Sequence, residues 1–232
     1  MTPDTLPAGP RPALLVVAKA PVPGLAKTRL ARVVGDAAAA DVAAAALLDT
    51  LDTVWAAHEA TRWPVVVAMT GDVRRASRSA DVREALGRVL LVDQRGDDFG
   101  ARLAHAHADA SVVADSAGTV QIGMDTPQVT VDDLLLAGEH VRLGRRVLGP
   151  ADDGGWWLLG LPDPADADAL RDVPMSRDDT GALTDAALGG NLPRLRTLLD
   201  VDEWADARTV AAALPGSRFA AAVGRCSAQV SA

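Results

Sequence analysis

The sequence predicts an α/β fold built on a mostly parallel sheet, and three observations predict it. With 232 residues the chain has the size of one hydrophobic core, because single cores stop growing near about 250 residues. Its strand candidates are continuous apolar runs rather than alternating ones, the pattern of strands covered on both faces. Strand-forming and helix-forming segments alternate along the chain, as successive βαβ units do.

Ala13 to Ala18 is the first such run. Asp36 to Ala57, rich in alanine and leucine, reads as a helix whose Asp41, Asp49 and Asp52 are spaced as on a solvated face. Pro64 to Met69 is the second strand, Val73 to Leu86 a polar helix and Val89 to Val92 the third strand. Phe99 to Val113 follows as a helix and Thr119 to Gly123 as the fourth strand. The helix Val131 to Leu143 starts at Thr130-Val131-Asp132-Asp133, a capping-box pattern. Arg146 to Leu148 and Trp156 to Leu161 are short strands around an Asp/Gly-rich turn. Beyond them Asp163 to Asp178 reads as a loop, Asp179 to Leu188 as a helix, Leu195 to Leu199 as a strand and Glu203 to Leu214 as a last helix. The expected organisation is a flexible segment at 1–12, one domain over 13–214 and a frayed tail over 215–232.

Composition narrows the function. The chain is 49% hydrophobic and 23% charged, in the globular range. Its net charge of -8 has the wrong sign for a sequence-independent grip on nucleic acid. A lone cysteine, Cys226, supports neither a disulfide framework nor a thiolate metal site. Lys19 interrupts the first apolar run, which is too short for a signal peptide or for a span of about 20 residues, so a cytoplasmic location is expected.

Three segments carry candidate chemistry. No G-x-G-x-x-G follows the first strand, and Lys27-Thr28 lacks the glycines of a Walker A loop. What does follow is Lys19-Ala20-Pro21-Val22-Pro23-Gly24-Leu25-Ala26-Lys27-Thr28-Arg29-Leu30, which contains the only two lysines among 23 basic residues. Pro23 and Gly24 turn the backbone, and Lys19, Lys27 and Arg29 flank the turn at the strand end where open α/β sheets bind ligands. This suits a nucleotide's phosphates; a stiff surface loop with solvated charges is the alternative. In Gly123-Met124-Asp125-Thr126-Pro127, Asp125 sits at the mouth of a buried strand. There it either binds a hard divalent cation or caps the turn before Pro127, and spacing leaves both open. In Gly149-Pro150-Ala151-Asp152-Asp153-Gly154-Gly155-Trp156-Trp157 the aspartates can bind sugar hydroxyls or a metal and an indole can stack on a base or sugar, or the segment is a plain hairpin turn; at most one of the two indoles should face a site. His105 and His107 diverge on their helix, and Asp200-Val201-Asp202 either adds a carboxylate to the site or ends a strand.

Together these stretches, with Gln94 and Gly100-x-Arg102 between them, resemble a bacterial family of GT-A-fold, nucleotide-diphospho-sugar-transferase-like proteins that includes the arsenosugar-biosynthesis-type glycosyltransferases. The likeness runs from about Leu14 to Asp206. It implies a three-layer, Rossmann-like sandwich that binds a nucleotide through Lys19, Pro23, Gly24, Lys27, Arg29, Gln94 and Arg102. It also implies Mg²⁺ or Mn²⁺ on Asp125 and Asp202, and a sugar or acceptor pocket bordered by Asp153, Gly154, Gly155 and Trp156, with Asp153 acting on the acceptor hydroxyl. Met124, Trp156, Trp157 and Glu203 depart from the family pattern and imply a bulkier, less hydroxylated pocket. The expected activity is transfer of a sugar from a nucleotide-diphosphate donor to a small or lipid-linked acceptor. Nucleotidyl transfer by a guanylyltransferase-like chemistry that releases pyrophosphate, and nucleotide binding without catalysis, are the alternatives.

Overall fold

The computed structural model describes residues 11–230. Six strands form one sheet in the order β3-β2-β1-β4-β6-β5: β1 (Pro12–Lys19), β2 (Val65–Thr70), β3 (Leu90–Asp93), β4 (Gly118–Gly123), β5 (Val147–Pro150) and β6 (Trp156–Leu161). β1 pairs in parallel with β2 and β4, and β2 with β3, whereas β6 runs antiparallel between β4 and β5. The apolar runs of β1, β2 and β4 are therefore buried on both faces, as their lack of alternation requires, whereas β3 at the sheet edge leaves Leu90 and Leu91 exposed. The carboxyl ends of β1, β2, β3 and β4 open on one side, and the first loop leaves from the middle of that edge.

Helices lie on both faces. α2 (Asp36–Thr61), α3 (Ser79–Leu86) and α5 (Val131–Arg142) cover one side through Leu47, Leu51, Val82, Leu134 and Ala137. α4 (Phe99–Ala114) and a 3-10 segment over Pro164–Asp172 cover the other through Leu103, Ala106, Ala110, Ala167 and Leu170. The capping box at α5 forms as its sequence predicts, with Thr130 and Asp133 bonded reciprocally. α6 (Thr180–Ala187) and α7 (Trp204–Ala213) also stand where expected.

Several expectations are corrected. The first loop runs directly into a short helix, α1 (Thr28–Val34), that precedes α2. The polar helix expected from Val73 to Leu86 is broken: a 3-10 turn at Val73–Arg75, capped by Asp72, is followed by Arg78 in left-handed conformation at φ 51°, and only then by α3. The loop expected over Asp163 to Asp178 contains the 3-10 segment, started by Asp163 accepting from the Ala165 N–H and by Pro164 at its first position. Leu195 to Leu199 is not a strand; it touches the sheet edge only by isolated bridges, Leu148 to Arg194 and Ala151 to Leu198.

The largest correction concerns the tail. Residues 218–230 form a helix, α8 (Arg218–Val230), not a frayed end; of the flexible segment expected at 1–12, residues 1–10 lie outside the described residues and Pro12 already belongs to β1. Phe219, Ala222 and Val223 of α8 are buried against Val42 and Ala46 of α2 in a third apolar cluster that α1 and α7 join. The aspartates read as a solvated face are the anchors of this layer. Asp49 accepts from the Phe219 backbone N–H at 2.8 Å and so caps α8, and Arg218 reaches both Asp49 and Asp52. Asp41 accepts two bonds from Arg78, at 2.6 and 2.9 Å, and one from Arg225 at 2.8 Å. Helix α2 is thus packed on two sides, so its pattern shows no single apolar stripe.

The Arg78 guanidinium, helped by Arg225 and opposed by burial, holds the Asp41 carboxyl at about 2. A carboxylate whose pKa is lowered on folding contributes stability above its ordinary value and loses it as pH falls toward the folded one. Asp41→Asn is expected to lower the urea midpoint at pH 7. It should also flatten the loss of stability that the native chain shows between about pH 4 and about pH 2, measured by circular dichroism melts across that range.

Candidate functional site

The first loop is built to carry an ammonium into the sheet edge. Ala20 N–H donates to Thr70 O at 2.8 Å, fastening the start of the loop to β2, and Leu25 and Ala26 N–H close a turn on Val22 O. Gly24 sits at φ 77°, and Pro23 and Gly24 are exposed on the outer bend. They shape the loop, but they line neither cavity at the site. Lys27 then takes the position before α1 in left-handed conformation, φ 49° and ψ 51°. For a residue with a Cβ this costs on the order of 1 kcal/mol, and it turns the side chain back across the ends of β1 and β4.

There Lys27 Nζ lies 2.9 Å from Asp125 Oδ1 and 3.2 Å from Asp202 Oδ1, with only 9% of its side chain exposed. Arg29 Nη1 meets the other oxygen of Asp202 at 3.1 Å. Backbone geometry supports the meeting, because the Val201 N–H donates to Asp125 O at 3.1 Å and so ties the late Asp-Val-Asp segment to the end of β4. Burial alone would lower the Lys27 pKa, but the two carboxylates more than offset it and the ammonium is held protonated. Residues 98 and 175 positions away from the lysine therefore converge on it.

Two connected cavities open here. One of about 250 Å³ is lined by Lys19, Lys27, Thr28 and Arg29 together with Asp125 and Asp202. A larger one of about 590 Å³ shares Lys19, Arg29 and both carboxylates and extends over Gln94, Arg102, Asp153, Gly155 and Trp156. Arg102 donates through Nε to Gly96 O at 3.1 Å and forms no ion pair with a carboxylate among the described residues, which suits an anion-binding role. Gln94 uses its amide nitrogen to bind Ala18 O and Ala68 O, stitching β3 to β2 and β1. Asp153 Oδ1 accepts the Gly155 N–H at 2.8 Å. Trp156 is partly exposed on the cavity wall and donates to Thr184; Trp157 also borders the larger cavity, but it is buried and its indole donates to Arg196 O. Met124 is buried, accepts the Lys19 N–H through Sδ and borders both cavities.

Gly154 lines neither cavity and has another task. At φ 85° a Cβ there would stand 1.8 Å from Asp178 O, and the Gly181 N–H donates to Gly154 O at 2.8 Å. The turn carrying Asp153 is thereby interlocked with the segment Met175 to Thr180 that forms the far wall. That wall was read as plain loop from the sequence; Gly154, Gly155 and Gly181 are the signal that something packs closely there. Asp200 also belongs to the site. Burial first, then the charges of Asp125 and Asp153, push its carboxyl up to about 7, against the pull of Lys27.

The donor set suits a hard dication. Mg²⁺ and Mn²⁺ take oxygen ligands, and Mg²⁺ in particular is commonly held by one or two carboxylates with substrate phosphates completing the shell. Asp125 and Asp202 supply two carboxylates in the cavity that Lys19, Lys27 and Arg29 also line. Among the described residues no three His, Cys, Asp or Glu side chains are gathered closely enough to cage a metal by themselves. His105 and His107 face different surroundings, Arg95 O and the core.

A family described as "Uncharacterized protein conserved in bacteria (DUF2064)" matches residues 50–177. No curated protein is significantly similar to the chain in sequence. Among solved structures it is similar to a candidate nucleotide-diphospho-sugar transferase from Desulfovibrio desulfuricans G20, at 23% identity and a TM-score of 0.78, over 94% of this chain and 96% of the other. It is also similar to the manganese complex of Rv0371c from Mycobacterium tuberculosis H37Rv, at 19% identity and a TM-score of 0.52, over 86% and 97%. A third is CMP:2-keto-3-deoxy-manno-octonic acid synthetase complexed with CTP, at 12% identity and a TM-score of 0.51, over 88% and 98%. The fold is thus that of nucleotide-diphospho-sugar-transferase-like proteins, as the sequence resemblance implies. Among the described residues no helix is long and apolar enough to cross a membrane.

The left-handed backbone at Lys27 yields a test. Lys27→Gly and Lys27→Ala both remove the ammonium, but only glycine takes φ 49° freely. Lys27→Gly is expected to be the more stable of the two by about 1 kcal/mol in urea unfolding.

Proposed function

The chain belongs to the DUF2064 family, and we propose that it is a metal-dependent glycosyltransferase moving a sugar from a nucleotide-diphosphate donor to a hydroxyl acceptor. The observation that carries the proposal is the convergence of Lys27 with Asp125 and Asp202 at 2.9 and 3.2 Å, in a cavity that Lys19 and Arg29 also line. Two carboxylates beside three cations make a place for a diphosphate bridged by a dication. The manganese in one protein of similar fold and the CTP in another support the same reading.

In this reading Lys19, Lys27 and Arg29 bind the diphosphate, with Lys27 swinging from the carboxylates to phosphate oxygens on its flexible stem. Asp125 and Asp202 would hold Mg²⁺ or Mn²⁺, which when bound supplies charge stabilisation for the leaving phosphate. Arg102 and Gln94 border the nucleotide. Asp153, fixed at the cleft by the Gly155 N–H, orients the acceptor hydroxyl and takes its proton. The bond from the sugar carbon to the phosphate oxygen breaks as the bond to the acceptor oxygen forms, and nucleoside diphosphate leaves. Trp156 and the wall at Met175 to Thr180 enclose the sugar or acceptor side.

The same cations also fit a triphosphate, so the product decides the reaction. Incubation with a panel of nucleotide sugars, nucleoside triphosphates and hydroxyl or phosphate acceptors in Mn²⁺ is expected to release nucleoside diphosphate. Release of pyrophosphate would instead assign nucleotidyl transfer, and release of neither would assign binding alone. Asp125→Asn is expected to abolish the metal dependence of nucleotide binding in calorimetry. Lys27→Ala should weaken that binding by about 1–3 kcal/mol, the worth of a charge-assisted hydrogen bond; unchanged affinity in both variants would remove the loop from the site.

A further inference from the structure

One buried histidine and one glutamine in the cleft have no part in the chemistry above. Gln121 is on β4 with 3% of its surface exposed, and it lines the 590 Å³ cavity beside Asp125. Its Oε1 lies 3.0 Å from Nε2 of His107, a fully buried residue of α4, and the other ring nitrogen lies 2.6 Å from Thr119 Oγ1. Burial pushes the His107 pKa down to about 4, so the ring is neutral near pH 7 and carries one N–H. An amide oxygen only accepts, so that hydrogen is on Nε2, and Nδ1 accepts from the Thr119 hydroxyl. Donation runs one way, from Thr119 to His107 to Gln121.

The consequence is a fixed amide. With Oε1 engaged, Gln121 keeps two hydrogens on Nε2 for which no acceptor is found among the described residues, and the residue lines the cavity. Donors on a nearly buried side chain are matched by an acceptor in the great majority of proteins, and here the cavity is where one would arrive. Gln94 shows the opposite end. Its Nε2 hydrogens are spent on Ala18 O at 2.8 Å and Ala68 O at 2.9 Å, so it offers the cavity an acceptor only.

We propose that Gln121 is a specificity-determining residue that donates to an uncharged oxygen, carbonyl or hydroxyl, on the nucleoside or the sugar of the ligand, and that His107 is the residue that positions it. The proposal rests on the nucleotide reading of the site and names a contact that phosphate alone does not make.

Calorimetry on the full chain in Mn²⁺, with pyrophosphate, the four common nucleoside diphosphates and their glucose conjugates, tests it in the native protein, Gln121→Met and His107→Phe. Pyrophosphate is expected to bind all three proteins equally. Gln121→Met should bind the preferred nucleotide about tenfold more weakly and His107→Phe a few-fold more weakly. Loss already with the nucleoside diphosphate assigns the oxygen to the nucleoside, and loss only with the conjugate assigns it to the sugar. Equal losses for pyrophosphate, or none for any ligand, would overturn the proposal while leaving the nucleotide site standing. If the native chain binds none of these ligands, the nucleotide reading falls and takes this proposal with it. Should His107→Phe fail to fold, ¹⁵N spectra of the native chain decide: an Nε2–H ring and a Gln121 side-chain signal that moves with nucleotide but not with pyrophosphate are expected. An Nδ1–H ring would overturn the proposal.

Discussion

An ammonium shared by two carboxylates from distant parts of the chain organises this molecule's working edge. Lys27 reaches Asp125 and Asp202 only because three backbone arrangements coincide. The first loop is pinned to β2, its last residue is bent into a left-handed conformation, and the segment after Leu198 is hydrogen-bonded to the end of β4. The left-handed backbone at Lys27 is unfavourable by itself. The opposing charges make the three arrangements consistent, and the same charges are what a phosphorylated ligand with its dication would exchange for its own.

The sheet supplies the rigidity. β1 and β4 lie side by side at its centre, so the groups on their following loops sit within reach of one another at an edge whose strands are paired on both sides. Behind the sheet, α2 is clasped on its outer surface by α8, α7 and α1. This outer layer holds α1 in place and with it the residues that start it. The stability of the tail helix and the placement of Lys27 are thereby linked through α2, although among the described residues none of α8 lines either cavity.

Much of the fold was legible because its signals are local. Continuous apolar runs, the capping box at Thr130 and the strand-helix rhythm each follow from a few neighbouring residues. The failures are tertiary. Asp41, Asp49 and Asp52 look like solvent-facing charges until arginines and backbone donors from α8 arrive to meet them. The tail reads as frayed because its apolar residues have meaning only against α2. In the site, Lys19, Lys27, Arg29, Asp125 and Asp202 stand together as their chemistry suggested, whereas Pro23, Gly24 and Gly154 shape the backbone and line neither of the two cavities there. Gln121 was hidden because a glutamine inside a strand carries no motif; its orientation comes from a histidine on a helix across the layer.

The scarcity of lysine has a practical side. Both side-chain amines of the chain, Lys19 and Lys27, line the cavity at the first loop, and every other basic side chain apart from the histidines is a guanidinium. Acylating or aldehyde reagents that seek lysine therefore have no neutral outlying target on this protein: coupling it to a dye, a resin or a crosslinker through lysine means modifying the cleft, and attachment chemistry is better directed elsewhere.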